Sequence, residues 1–146
     1  MHATTHVRSA SLPPRWLLYD ASKFTLGRMA SQIAMNLMGK DTPHYTASEK
    51  NGAFVVVVNA DNVCTTGRKS EVKTYAHYTG YPGGHKEVAF EELRARRSDE
   101  IIRQAVKRML PKTTMGRDML RRLKVYPGLE HPHTAQQPVQ IEKIRS

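Results

Sequence analysis

The chain has a single cysteine and no long hydrophobic segment, and these two absences exclude several classes of protein. Cys64 has no second thiol with which to form an intrachain disulfide, and it cannot build a multi-cysteine zinc site. The longest apolar run, residues 53–58, is far shorter than the roughly 20 residues that a membrane-spanning helix needs. Residues 1–14 contain no apolar core and do not have the pattern of a signal peptide. We therefore expect a cytoplasmic protein without disulfides.

Acidic residues are scarce relative to basic ones. The 146 residues include 23 Lys and Arg against 13 Asp and Glu, which gives a net charge of +10. The length fits one domain with a core of its own. So large a positive charge favours a polyanionic partner, nucleic acid before an anionic membrane, over a surface that is merely soluble.

The positive charge is concentrated in the C-terminal half. Residues 93–124 contain eleven basic and three acidic residues, a net charge of +8. Helical spacing places Arg103 one turn from Lys107, and Arg117 one turn from Arg121. Like charges at this spacing repel each other unless an anion lies between them. Eight of the eleven basic residues are arginines, whose planar guanidinium suits phosphate, so we expect this segment to contact phosphate.

The N-terminal half has the pattern of a strand, a helix and a second strand. Residues 16–19 form a short apolar run, and apolar residues then recur at helical spacing from Leu26 to Leu37. Gly39 can end that helix in the left-handed conformation. Residues 54–58 are apolar without alternation, which is typical of a parallel strand covered on both faces. The pattern predicts an α/β fold.

The rest of the chain has weaker signals. In chain order they predict a strand over residues 72–78, an irregular glycine-rich loop over 80–84, helices over 90–97, 98–110 and 114–123, and a polar, mostly irregular end. We expect a flexible arm over residues 1–14, a single α/β domain over 15–138, and a tail over 139–146.

The glycine-rich loop has two interpretations. Gly80, Gly83 and Gly84 would let the backbone approach a ligand closely, and the neighbouring Tyr78 and Tyr81 could stack on unpaired bases. Alternatively, the loop is a flexible hairpin tip whose tyrosines pack on the domain.

Signals for enzymes or metal sites are weak. The first turn lacks a G-x-G-x-x-G motif, and Gly39-Lys40 lacks the other residues of a P-loop and falls at a helix end. His131 and His133 have one nearby carboxylate, which does not make a ligand cluster. Cys64 follows an apolar strand, so we expect it to pack as a small apolar residue and not to act as a nucleophile. No catalytic, cofactor-binding or metal-binding residue is predicted.

A combination of segments resembles one family, the large-subunit ribosomal protein L13 family in its bacterial form. The most specific block is Val106–Lys112, followed by Gly116-Arg117 and Leu123–Tyr126. Further segments agree in order: Trp16, Asp20-Ala21, Leu26-Gly27-Arg28, Asn59-Ala60-Asp61, Thr66-Gly67, His77, Thr79-Gly80, Gly83-Gly84, Glu130-His131, His133 and Ala135–Pro138. The agreement runs from about Arg15 to Pro138.

The resemblance implies a three-layer α/β/α domain around a small, mainly parallel sheet. It implies binding to large-subunit rRNA and a role in subunit assembly beside neighbouring large-subunit proteins, with no catalysis, cofactor, membrane or small-molecule substrate. Arg108 stands where the family usually has glycine, and Ala76 where an aromatic residue is common. Regulatory binding to mRNA away from the ribosome would use the same surface and stays an alternative. Carried over by position, the RNA-contacting candidates are Arg28, Arg68, Lys69, His77, Tyr78, Lys107, Lys112, Arg117, Arg121, Arg122, Lys124, His131 and His133.

Overall fold

The first strand, helix and second strand form the parallel unit that the sequence predicts. The structure, a computed structural model, describes residues 6–144, so residues 1–5 of the predicted arm and 145–146 of the predicted tail lie outside it. Strand β1 (Trp16–Asp20) pairs in parallel with β2 (Phe54–Val58), and helix α1 (Leu26–Met38) connects them. Gly39 ends α1 in the left-handed conformation, at φ 80°, as expected.

Two further strands complete a four-stranded parallel sheet with the order β5-β2-β1-β6. Strand β5 (Leu123–Val125) pairs with β2, and β6 (Val139–Gln140) pairs with residues 17–18 of β1. The α/β class and the mainly parallel sheet are thereby confirmed. Strand β6 lies within the segment predicted as a tail, and its pairing ties that segment to the start of the domain.

The segment between the sheet strands contains a hairpin and two longer helices. A four-residue helix, α2 (Lys69–Val72), leads into the antiparallel pair β3 (Thr74–Tyr78) and β4 (His85–Ala89). Helix α3 (Phe90–Met109) consists of two helical arms that meet at Arg97, whose φ of −150° and ψ of 75° are not helical. The prediction of two helices that meet at residues 97 and 98 is thereby confirmed. Helix α4 (Thr114–Arg121) follows.

The core lies between the sheet and helices α1, α3 and α4, which contact one another. Alternate residues of a strand point to opposite faces, and this places Tyr19 and Val57 on the face that α1 covers. Asn36 of α1 donates a hydrogen bond of 2.6 Å to the Tyr19 hydroxyl, which satisfies both groups in the core. Burial nevertheless dominates and raises the pKa of Tyr19 to about 12. Within residues 6–144, no helix combines the length and apolar character needed to cross a membrane.

Candidate nucleic-acid interface

Four of the predicted RNA-contacting residues line one cleft between β3, the end of α3 and α4. We call it the α4 cleft; its volume is about 630 Å³. Its lining residues are His77, Glu100, Gln104, Lys107, Arg108, Leu110, Pro111, Lys112, Gly116, Arg117 and Leu120. The predicted residues among them are His77, Lys107, Lys112 and Arg117, so the fold brings together groups that are up to 40 positions apart in the sequence.

A second cleft adjoins the first and contains two more of the predicted residues. This α1 cleft, of about 600 Å³, lies between the start of α1, α2 and the second arm of α3. Arg28 and Lys69 line it, and Gln104 and Arg108 are shared with the α4 cleft. The two clefts together are called the basic groove below.

The packing of α3 and α4 explains why their cations line the groove. Ile102 and Val106 are buried in the core, so Lys107 and the neighbouring Arg108 emerge from the exposed side of the same helix. At the start of α4, the Thr113 hydroxyl accepts a hydrogen bond from the Gly116 N–H group. A Cβ at Gly116 would lie 1.9 Å from the Pro111 carbonyl oxygen, so glycine is needed for this close approach. The turn holds Lys112 and Arg117 on one rim of the α4 cleft.

The cations of the basic groove have few internal partners. The groove is lined by Arg28, Lys69, Lys73, Lys107, Arg108, Lys112 and Arg117. Within residues 6–144, none of these seven forms an ion pair with a carboxylate. Glu100 is the one acidic lining residue, and its carboxylate accepts a hydrogen bond from Gln104. Burial, and then the charge of Arg108, lower the pKa of Lys73. The groove is therefore a surface on which an anion would relieve repulsion.

Four more predicted residues lie outside the two clefts. Arg68 forms an exposed ion pair with Glu71 at 3.5 Å, and Arg121 forms one with Asp118 at 3.3 Å. Lys124 is exposed on strand β5. Arg68 lines a shallow cavity next to the α1 cleft together with Lys69 and Lys73. The fourth residue is Tyr78.

The hairpin tip presents its tyrosines to solvent. The side chains of Tyr78 and Tyr81 are 62% and 74% exposed. The turn is closed by backbone hydrogen bonds between Thr79 and Gly84 and between Gly84 and Tyr81. The glycine-rich loop is thus the tip of a hairpin, but the interpretation in which its tyrosines pack on the domain is wrong.

The three remaining predicted residues contact other parts of the fold. Arg122 donates from Nη1 to the carbonyl oxygens of Lys50 (2.8 Å) and Gly52 (2.6 Å), and its guanidinium lies 5.1 Å from the Phe54 ring centroid. We call this arrangement the Arg122 pocket. The half-buried guanidinium is therefore held by contacts within the protein.

The two histidines belong to an aromatic cluster at the start of β1. His133 shares a hydrogen bond of 2.9 Å with the Tyr126 hydroxyl and packs against Trp16, with ring centroids 5.2 Å apart. The His131 ring stacks on His133 at 6.4 Å. Burial, followed by the charges of His131 and Lys124, lowers the pKa of His133, so its ring is neutral at neutral pH.

Two findings correct or extend the sequence interpretation. Cys64 is exposed, with Sγ 3.7 Å from the Ser22 carbonyl oxygen, so the prediction that it packs as a small apolar residue is wrong. Lys73 also lines the α1 cleft, although it was not among the predicted RNA-contacting residues. Its position between a basic turn and a strand is the sequence feature that could have indicated it. Within residues 6–144, no group of three or more His, Cys, Asp and Glu is placed to hold a metal ion.

Comparisons with known proteins give a single answer. A sequence profile of the family described as "Ribosomal protein L13" matches residues 14–132. The chain is 50% identical over 135 residues to "Large ribosomal subunit protein uL13" of Francisella tularensis subsp. novicida, covering 92% of this chain and 95% of that protein. Identity to the protein of the same name from Alcanivorax borkumensis is 48% over 139 residues, covering 95% and 98%. For Legionella pneumophila it is 51% over 127 residues, covering 87% and 88%. These relatives carry the name of a ribosomal protein and not of an enzyme.

Proposed function

Because the chain belongs to the ribosomal protein L13 family, we propose that it is a structural constituent of the large ribosomal subunit that binds large-subunit rRNA through the basic groove. The family predicted from the sequence is confirmed, and with it the prediction of a protein that is not an enzyme. The rRNA contact, a role in subunit assembly and contacts with neighbouring ribosomal proteins are parts of the proposal.

The observation that carries the rRNA proposal is the set of cations around the basic groove. They come from α1, α2, α3, α4 and the loops between them, yet they converge on two adjoining clefts. A merely solvated surface mixes charges of both signs, whereas this groove has a single acidic side chain, Glu100. Basic side chains that form no ion pair within the protein are free to bind phosphate. Phosphate contacts are the ones that position a protein on RNA.

The exposed hairpin tip supports RNA over other polyanions. His77 of β3 lines the α4 cleft, and Tyr78 and Tyr81 stand exposed beyond it. Aromatic rings can stack on unpaired bases, and protein recognition of RNA depends on such bases because the deep groove of A-form helices is closed to side chains. The arrangement thus combines phosphate ligands with stacking platforms.

A fractionation experiment tests the ribosomal part of the proposal. A tagged copy of the chain is expressed in a bacterium, and the lysate is separated on a sucrose gradient at low salt. We expect the chain in the large-subunit fractions. A chain found only among free proteins, or with mRNA apart from ribosomal subunits, would contradict the proposal.

A set of variants tests the groove. If about six phosphates are contacted, the affinity for a large-subunit rRNA fragment should fall with salt with a log–log slope of roughly −4 to −5. The triple variant Lys107→Gln/Lys112→Gln/Arg117→Gln should reduce the magnitude of this slope by about 2 to 3. The measurement is a filter-binding titration at several salt concentrations.

The matched control removes the same charge elsewhere. Lys40, Arg96 and Lys143 line neither cleft, so their triple change to Gln should leave the slope near that of the parent chain. Equal losses in the two triple variants would mean that net charge alone governs binding, and the groove would then have no special role.

A further inference from the structure

The α1 cleft differs from the α4 cleft in having no acidic side chain among its lining residues. Its cations are Arg28, Lys69, Lys73 and Arg108, contributed by α1, α2, the residue before β3, and α3. Four positive charges around a cavity of about 600 Å³ repel one another. The lowered pKa of Lys73, caused by burial and then by Arg108, is one sign of this environment. A bound anion would reduce the repulsion between these four positive charges.

The backbone at the start of α1 adds hydrogen-bond donors to the same cleft. The Thr25 side chain makes no capping hydrogen bond, and the first turn contains no acidic residue. The Leu26 N–H is bonded to the Cys64 carbonyl, but within residues 6–144 the N–H groups of Gly27 and Arg28 have no acceptor. Both residues line the cleft. Free amides at a helix start, with the positive end of the helix dipole, are suited to an oxyanion.

A buried tyrosine forms part of the wall of the cleft. Tyr75 lines it, is 7% exposed, and has a hydroxyl group without a hydrogen-bond partner. Burial raises the pKa of Tyr75, so the hydroxyl remains a donor at neutral pH. The Lys73 ammonium lies 5.0 Å from the centroid of the same ring. Tyr75 thus forms part of the cleft wall beside Lys73.

From these observations we propose that the α1 cleft is a binding site for one phosphate group, held by the Gly27 and Arg28 amides between Lys73 and Arg108. The natural source is a backbone phosphate of RNA, and this assignment of the source rests on the proposed function. A free nucleotide offers the same chemical group. However, Tyr75 is the one aromatic lining residue and is almost fully buried, so the cleft has no open ring on which a base could stack.

The test follows the backbone amides of the free, full-length protein by nitrogen-15 NMR. Inorganic phosphate should shift the Gly27 and Arg28 signals saturably, with a midpoint on the order of 1–10 mM, as expected for a small anion. Adenosine 5′-monophosphate should bind no more tightly than phosphate. A large-subunit rRNA fragment should shift the same two signals at its own, much lower, dissociation constant.

Variants identify the cations that hold the anion. The double change Lys73→Gln/Arg108→Gln should weaken the phosphate response by about tenfold or more, because each charged donor lost removes a charge-assisted hydrogen bond. The control Lys40→Gln/Arg96→Gln removes the same charge away from the cleft and should leave the response unchanged. Both double variants are expected to fold, which their amide spectra report directly.

The outcomes separate this inference from the proposed function. If rRNA binds but the Gly27 and Arg28 signals do not respond to phosphate or RNA, the phosphate site is wrong and the rRNA proposal stands. If phosphate shifts these signals but no rRNA binds, the site stands and the proposed function falls. Binding of adenosine 5′-monophosphate about tenfold tighter than phosphate would overturn the assignment of the source to RNA.

Discussion

Arg122 and Arg108 lie 14 positions apart in the same basic segment, and the structure places them in opposite situations. The Arg122 guanidinium contacts two backbone carbonyls and the face of Phe54. Arg108 is exposed, lies between the two clefts, and has no carboxylate partner within residues 6–144. The number of basic residues in a segment therefore overestimates how many of them are available to bind RNA, because some of them stabilise the fold. The contacts of each side chain decide which role it has.

Substitutions in the Arg122 pocket should reduce stability more than substitutions around Arg108. The largest loss is expected at Gly52. A Cβ at Gly52 would lie 1.8 Å from the Leu37 carbonyl oxygen and 2.4 Å from its carbonyl carbon, at the end of α1. Gly52→Ala must therefore move the backbone that presents the acceptor to Arg122. We expect a loss of about 3 kcal/mol or more in the free energy of unfolding, measured by urea denaturation.

Gly128→Ala provides the control for this prediction. A Cβ at Gly128 has no neighbouring atom within 4 Å, so the change should stay within about 0.5 kcal/mol. A Gly52→Ala variant as stable as the parent chain would show that the backbone at this point can shift at little cost. The prediction that the Arg122 pocket is rigid would then be wrong.

Exchanging each arginine for methionine tests the comparison directly. Arg122→Met keeps much of the apolar stem but leaves the Lys50 and Gly52 carbonyls without their donor, so we expect a loss of about 2 kcal/mol in unfolding free energy. Arg108→Met removes a cation that repels Lys73 and should change stability by less than about 0.5 kcal/mol. Affinity for the rRNA fragment should respond in the opposite order, with Arg108→Met weakened more.

Both variants need the same two measurements, urea denaturation and filter binding. Should Arg108→Met lose more stability than Arg122→Met, or bind rRNA as well as the parent chain, the division between structural and binding arginines would be wrong.

The sequence predicted the parts of this molecule that depend on local patterns. The apolar spacing from Leu26 to Leu37 and the glycine at position 39 specify α1, and the run from Phe54 to Val58 specifies β2. Hydrophobic periodicity is a strong signal when a whole helix or strand is covered by the core.

The features that sequence analysis missed depend on long-range contacts. Strand β6 has two residues and pairs with a strand more than 120 positions earlier, so no periodic pattern marks it. The acceptors of Arg122 are backbone carbonyls about 70 positions earlier, which side-chain identity does not reveal. Cys64 follows an apolar strand, yet it lies beyond the Ala60–Asn62 turn, where the chain has left the core. The convergence of Arg28, Lys69 and Arg108 on one cleft likewise follows from the tertiary fold.

The smallest expected effect on stability concerns the ion pair between Lys50 and Asp118, which lies near the Arg122 pocket. The Lys50 ammonium donates to the Asp118 carboxylate, which also pairs with Arg121 at 3.3 Å. The hydrogen bond from Lys50, and then its charge, lower the pKa of Asp118 below its ordinary value of 3.8. The carboxylate therefore contributes stability at pH values above 3.8, and this contribution is lost as the pH falls through the lower value of the folded state.

Asp118→Asn should lower the urea midpoint at neutral pH and make its decline below pH 3.8 less steep, because the carboxylate that must be protonated is gone. In a Lys50→Gln background the same change should have a smaller effect at neutral pH, since the hydrogen bond is already absent. The measurement is the urea midpoint from acid to neutral pH for the four chains of this cycle. Equal effects of Asp118→Asn in the two backgrounds would mean that Lys50 does not support Asp118, and that this cation, like those of the basic groove, is not needed for the fold.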